Sequence, residues 1–199
     1  MVTYYKNFLT PEECIELITL IDAHKIRSTV LEPEGSTATA SLFRTSSTTG
    51  LSPQHNLVNS IHQRISEAVG IPMLKGEPLQ GQCYEPGQYF KAHTDYFEVS
   101  AYNQFCLSSG NRQLTFMIYL NDVEEGGETL FPNLNLSVKP ERGTAISWPN
   151  MENGMPSYYS LHEGTEVKKG SKYVITSWWR ENEYNPQKDY EMSLETPKE

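Results

Sequence analysis

Hydrophobic positions change their period partway along the 199-residue chain. In the first part they recur at helical spacing, and Ile15, Ile18 and Ile21 fall on one face of a segment that opens with Thr10-Pro11-Glu12-Glu13. The opening carries a start signal of its own: Thr10 suits the N-cap, Pro11 the first helical position, and Glu13 closes a capping box. A second helix is predicted from Ser52-Pro53, with Leu57, Ile61 and Ile65 spaced by four and a stop at Gly70, beyond which comes Pro72. Between the two lies a stretch, about 31–51, rich in Ser, Thr, Gly and Pro and containing Arg44-Thr45-Ser46, which reads as a long loop.

From about Leu79 the period becomes alternating, and Gly, Pro and Asn punctuate short segments as they do in antiparallel sheets. The segment 113–121 is the clearest, with Leu114, Phe116, Ile118 and Leu120 lining one face; 134–139, 143–148, 157–162 and 172–180 continue the series. Helices followed by many strands predict a mainly β fold, a β-sandwich or jelly roll buttressed by N-terminal helices. The expected organisation is a single domain over 1–184, with helical support over about 1–78 and a jelly-roll core over about 79–184. Residues 185–199, with Pro186, Lys188, Asp189, Pro197 and Lys198, are expected to form a polar, mobile tail.

Composition narrows the partners. A net charge of −9 disfavours a polyanion such as nucleic acid, whose binding rests on Lys and Arg neutralising phosphates. No apolar run approaches the roughly 20 residues of a membrane span, so no membrane partner is expected. The start, Met1 to Asn7, lacks the basic and apolar regions of a secretory signal, and a cytoplasmic protein is expected. The three cysteines, Cys14, Cys83 and Cys106, have neither CxxC spacing nor an even number, and are read as buried or free thiols. Oligomeric state is left open.

The chemistry gathers around His93-Thr94-Asp95. On a strand, residues two apart point the same way, so one imidazole and one carboxylate can share a metal ion. His162, in Ser160-Leu161-His162-Glu163-Gly164, offers a third ligand, and two His with one carboxylate form the facial triad that holds Fe(II) while leaving positions open. Nothing in the chain matches the two-His helix motif of zinc proteases. His24, at a predicted helix end, and His55 and His62, expected on a solvated helix face, receive no catalytic role.

The order Tyr84-x-x-Gly87-x-x-Phe90-x-x-His93-x-Asp95, then Arg112-Gln113-Leu114-Thr115-Phe116-Met117-Ile118-Tyr119-Leu120-Asn121, then Glu125-Gly126-Gly127-Glu128-Thr129-Leu130-Phe131-Pro132, then His162 and Lys172, resembles the prolyl 4-hydroxylase branch of the Fe(II)/2-oxoglutarate-dependent dioxygenases. The resemblance is close over about 79–180 and looser before it. It implies a double-stranded β-helix, that is, a jelly-roll core. It also implies a dioxygenase that hydroxylates prolyl residues in a peptide or protein, with Fe(II), 2-oxoglutarate and O2, ascorbate as an accessory, and succinate and CO2 as products.

Residue by residue, the resemblance makes His93, Asp95 and His162 the metal ligands and catalytic centre. Lys172 becomes the partner of the distal carboxylate of 2-oxoglutarate, Tyr84, Thr115 and Trp178 further cosubstrate contacts, and Arg44 a substrate-binding residue. A buried ammonium needs a counter-ion, which a dicarboxylate supplies. Gly126 and Gly127 are read as turn formers. Gly50 and Phe90 depart from the family pattern, which has an aromatic residue and a tyrosine there. Two alternatives stay open at this level: the same chemistry on a free amino acid or other small molecule, and a non-catalytic jelly-roll binding protein.

Overall fold

The structure, a computed structural model, describes residues 1–28 and 43–195. The greater part of the loop expected at about 31–51, and the end of the expected tail, lie outside the described residues. Helix α1 (Pro11–His24) starts as its sequence dictates: the Thr10 hydroxyl accepts from the Glu13 N–H at 3.3 Å, and the Glu13 carboxylate accepts from the Thr10 N–H at 2.9 Å. Its buried face is Cys14, Leu17 and Ile21, one position out of step with the expected one, and Ile15 is exposed. Gly81 lies beneath the helix, where a side chain would strike Ile21. Helix α2 (Asn56–Val69) begins a turn later than expected, because Ser52 to His55 close a turn of their own, and it ends at Gly70 in the left-handed region, φ 68°.

The strands are β1 (Thr3–Tyr5), β2 (Ile26–Arg27), β3 (Ser47–Gly50), β4 (Gln80–Tyr84), β5 (Phe90–His93), β6 (Arg112–Tyr119), β7 (Glu125–Gly126) and β8 (Thr129–Phe131), followed by β9 (Leu136–Val138), β10 (Ala145–Pro149), β11 (Met151–Glu152), β12 (Met155–Pro156), β13 (His162–Gly164), β14 (Val167–Lys169) and β15 (Lys172–Arg180). Among the described residues they form a seven-stranded sheet in the order β1-β10-β6-β15-β4-β3-β2, a four-stranded sheet in the order β5-β13-β8-β9, and two two-stranded sheets, β11-β12 and β14-β7. The pairings are antiparallel. Two facing antiparallel sheets with N-terminal helices on one outer face make the expected mainly β jelly roll.

Each face of the large sheet has its own core. Outward, Phe116, Ile118, Ile175 and Trp179 pack with Leu17, Ile21, Ile61 and Ile65 of the two helices. Inward, Met117, Tyr119 and Val174 meet Phe131, Val138 and Trp148 between the sheets. This is why β6 is buried on both sides rather than showing the single apolar face that the alternation of Leu114, Phe116, Ile118 and Leu120 suggests. His62, expected in solvent, belongs to the helical side: it is buried edge-on against Trp179, ring centroids 5.3 Å apart, and burial lowers its pKa.

The expected polar tail is corrected by helix α4 (Pro186–Glu195), which follows the short α3 (Val99–Phe105) in chain order and packs against it. Asp189 is 2% exposed and accepts from the N–H groups of Ser108 at 2.6 Å and Ser109 at 3.0 Å, and from the Ser109 hydroxyl. A polar anchor of this kind leaves no apolar periodicity to read. At the Glu125-Gly126-Gly127 turn both glycines have positive φ, 77° and 74°, and a side chain on Gly126 would strike the Glu166 carbonyl.

Candidate active site

Strand β5 and strand β13 are neighbours, and their register sets His93 directly opposite His162. Cross-strand partners stand about 5 Å apart, so the pairing brings two imidazoles together, with centroids 4.2 Å apart. Asp95, two residues past His93, turns back between them, its Oδ1 lying 3.8 Å from His93 Nε2 and its Oδ2 3.7 Å from His162 Nε2. All the ligating atoms of the three lie within 4.8 Å of one another.

The tautomers follow from the hydrogen bonds. His93 Nδ1 lies 2.7 Å from the Lys91 carbonyl oxygen and His162 Nδ1 2.9 Å from that of Ser160. A carbonyl only accepts, so each Nδ1 carries a proton, and each Nε2 is the ring nitrogen turned toward Asp95. Burial, together with the neighbouring His162, pushes the His93 pKa down to about 3. Burial acts to raise the Asp95 carboxyl, but His162, His93, Arg112 and the Thr115 hydroxyl outweigh it and hold the group ionised. Two imidazoles and one carboxylate, each oriented by a further bond, are a donor set that fits a divalent iron.

Thr115 differs from its expected place. Its hydroxyl donates to Asp95 Oδ2 at 2.7 Å and accepts from Asn150 Nδ2 at 2.8 Å, so it orients the carboxylate and does not line the cavity beside it. Asn150 is fully buried and was not legible in the sequence, since nothing local marks a residue that acts across a strand pair.

The cavity beside the triad is walled by β4, β6 and β15. Along β15, Lys172, Val174, Thr176 and Trp178 face inward, and on β4 Gln82 and Tyr84 do. Lys172 is 2% exposed. Its ammonium lies over the Tyr84 ring at 5.4 Å and the Tyr119 ring at 5.7 Å. Among the described residues it has no ion-pair partner; burial pushes its pKa down to about 7, opposed by Glu128 at longer range. A buried cation facing a cavity with no anion of its own fits a carboxylate ligand.

Tyr84 donates its hydroxyl to Gln82 Oε1 at 2.8 Å, and Trp178 lies under the Arg112 guanidinium, 4.0 Å from the ring centre. Arg112 is held by Glu77 in a bidentate pair of 2.7 and 2.8 Å, which Arg180 shares at 2.8 Å. The motif beginning at Arg112 was visible in the sequence; its partner Glu77 was not.

Arg44 was expected in an open substrate loop, but it is 7% exposed and donates to Ser46 at 3.1 Å and Gln80 at 3.2 Å. Its guanidinium covers Phe90 at 4.8 Å, and Phe90 in turn stacks on His93 with centroids 3.6 Å apart. The two form a wall behind the metal site. The three cysteines are free and buried, as expected.

Comparison with known proteins agrees with this geometry. The family model described as "2OG-Fe(II) oxygenase superfamily" matches residues 79–180. Two Arabidopsis thaliana proteins, "Probable prolyl 4-hydroxylase 3" and "Probable prolyl 4-hydroxylase 10", are 38% and 39% identical, over 90% of this chain and 69% and 68% of theirs. A solved viral collagen prolyl hydroxylase from Paramecium bursaria Chlorella virus-1, in its 2-oxoglutarate complex, superposes with a TM-score of 0.72 at 27% identity, covering 90% of this chain and 95% of that one. A Trichoplax adhaerens prolyl hydroxylase, solved with a hypoxia inducible factor peptide fragment, shares the fold at 14% identity, with a TM-score of 0.67 over 98% of this chain and 87% of that one. Similarity of this extent, centred on the strands that carry the triad, establishes descent: the chain belongs to the 2OG-Fe(II) oxygenase superfamily, among its prolyl 4-hydroxylase-like members.

Proposed function

We propose that the protein hydroxylates prolyl residues within a peptide or protein, consuming 2-oxoglutarate and O2 and releasing succinate and CO2. The observation that carries this reading is the pairing, in one cavity, of the buried His93-Asp95-His162 cluster with the ammonium of Lys172, which has no ion-pair partner among the described residues. Fe(II), when bound, supplies the oxidising chemistry, and the protein supplies position and exclusion of water.

His93 and His162 would hold the metal through Nε2, since their Nδ1 atoms are committed to Lys91 and Ser160. Asp95 would hold it through a carboxylate whose orientation Thr115 and Asn150 set. Lys172 anchors the far carboxylate of 2-oxoglutarate, a charge-assisted contact worth roughly 1.5–3 kcal/mol. Met117, Trp148 and Val174 line the same cavity with apolar surface and keep water from it. Trp178, lying under the Arg112 guanidinium, lines the same cavity and is proposed as a further cosubstrate contact. An extended Pro-containing chain is already restricted in conformation, so a groove orders it at modest cost. Ascorbate is proposed as the reductant that sustains turnover.

The test is incubation of proline-containing peptides, and separately free proline, with the protein, Fe(II), 2-oxoglutarate and ascorbate. Addition of one oxygen atom to a prolyl residue supports the proposal. Oxygen on free proline and on no peptide transfers the chemistry to a small molecule, and 2-oxoglutarate that is bound but never decarboxylated favours a binding protein.

A further inference from the structure

The inner face of β4 carries a chain of hydrogen bonds that the proposed reaction does not by itself require. Arg44 donates to Gln80 Oε1 at 3.2 Å. Gln82 donates its Nε2 to the same oxygen at 3.3 Å and to Thr176 Oγ1 at 3.0 Å, and its Oε1 accepts the Tyr84 hydroxyl at 2.8 Å. Gln82, Thr176 and Tyr84 are buried, and all three line the cavity that holds Lys172.

The directions in this chain are forced from one end. A guanidinium has donors only, so Gln80 must turn its oxygen toward Arg44. Gln82 must then offer Gln80 its nitrogen, which turns its own oxygen toward Tyr84. A phenol has one hydrogen to donate, so the Tyr84 hydroxyl is committed to Gln82. Arg44 and Ser46 oppose the rise that burial gives the pKa of the same hydroxyl, as donors to its oxygen do. Tyr84 therefore shows the cavity an oxygen whose hydrogen is already in use.

We infer that Gln82 is a positioning residue that withholds the Tyr84 hydrogen from a cavity-bound dicarboxylate. The inference rests on the 2-oxoglutarate reading of the site. In this arrangement Lys172 carries the far carboxylate, and Tyr84 contributes only when the ligand wins its hydrogen from Gln82. The cosubstrate affinity is set lower than the same residues could give, and it is linked through Gln80 to the placement of Arg44. By linkage, whatever moves Arg44 away from Gln80 strengthens cosubstrate binding to the same extent that cosubstrate favours the movement.

The test is a double-mutant cycle on protein loaded with Mn(II), reading the dissociation constant of 2-oxoglutarate by calorimetric titration, so that no turnover is involved. Gln82→Leu keeps the bulk and removes the acceptor, and binding should tighten about three- to tenfold, the net value of one hydrogen bond. Tyr84→Phe should change the wild-type constant by less than about twofold and should cancel the gain in the Gln82→Leu background. Gln82→Met, confirmed as folded by its thermal melt, carries the same expectation if the leucine variant does not fold. Equal weakening by Tyr84→Phe in both backgrounds, or weaker binding in Gln82→Leu, overturns the inference. If wild-type protein binds 2-oxoglutarate and Lys172→Ala loses it while the cycle shows no coupling, this inference alone falls. If wild-type protein binds none, the reading of the site falls with it.

Discussion

Replacing Lys172 with Met separates what the residue costs the fold from what it contributes to the site. The ammonium is buried in a cavity with no carboxylate paired to it among the described residues, and its pKa is pushed from 10.5 down to about 7. At about 1.36 kcal/mol per pH unit, that displacement is a penalty on the order of 4–5 kcal/mol in the folded protein without ligand. The sign follows from proton binding. Between pH 7 and 10.5 the unfolded chain keeps the Lys172 proton while the folded chain has lost it, so stability rises with pH across this window and the penalty is fully present below it.

Lys172→Met has no such penalty and keeps an unbranched side chain. At pH 7, without metal or 2-oxoglutarate, it should be more stable than the wild type by a few kcal/mol, with the difference shrinking toward pH 10 as removal of the proton that the unfolded chain still holds becomes less costly. Urea denaturation of both proteins across that range measures it, and calorimetry should find 2-oxoglutarate binding to the variant lost or weakened at least tenfold, since a charge-assisted bond goes with the ammonium. A stability difference that does not vary with pH would refute the argument that an unpaired charge sits in this cavity. Unchanged 2-oxoglutarate affinity would show that another group holds the far carboxylate.

Thr115→Val removes the donor that orients Asp95 and leaves Asn150 with a lost acceptor, so Mn(II) affinity should fall roughly 10- to 100-fold, as measured by titration, while the fold is retained. Asp189→Ala leaves two backbone N–H groups of the Ser108-Ser109 turn without their acceptor and should lower stability by about 2–4 kcal/mol in urea denaturation; a change under about 0.5 kcal/mol would mean that α4 is not anchored there. Trp179→Ala empties the contact between the large sheet and α2 and should cost about 3–5 kcal/mol by the same assay.

What could be read from the sequence was what short-range periodicity and fixed motifs encode. The capping box of α1, the Gly70 stop of α2 and the strand 172–180 are local statements, and the structure has each of them. The His93-x-Asp95 pair was legible because strand geometry alone puts both on one face, and the Lys172 problem because a buried ammonium always needs an answer. The buried face of α1 lies one position from the expected one because Cys14, Leu17 and Ile21 pack on side chains of the large sheet and α2, far away in the chain. Helix α4 reads as a tail in the sequence because its anchor is a buried carboxylate rather than an apolar stripe. Asn150, Gln82 and Glu77 went unread for one reason: each acts by matching a hydrogen-bond partner on another strand or segment, and that complementarity exists only after the sheets have closed. Thr115 and Arg44 make contacts that their sequence positions do not announce, one with Asp95 and the other packed over Phe90.

The most direct test of the central claim is mass spectrometry of proline-containing peptides after incubation with the protein, Fe(II), 2-oxoglutarate and ascorbate, with succinate measured in parallel and His162→Ala as the control. The account expects one added oxygen atom on a prolyl residue, succinate formed in step with it, and neither product from the control. Full activity in His162→Ala, or oxygen on free proline and on no peptide, would contradict it.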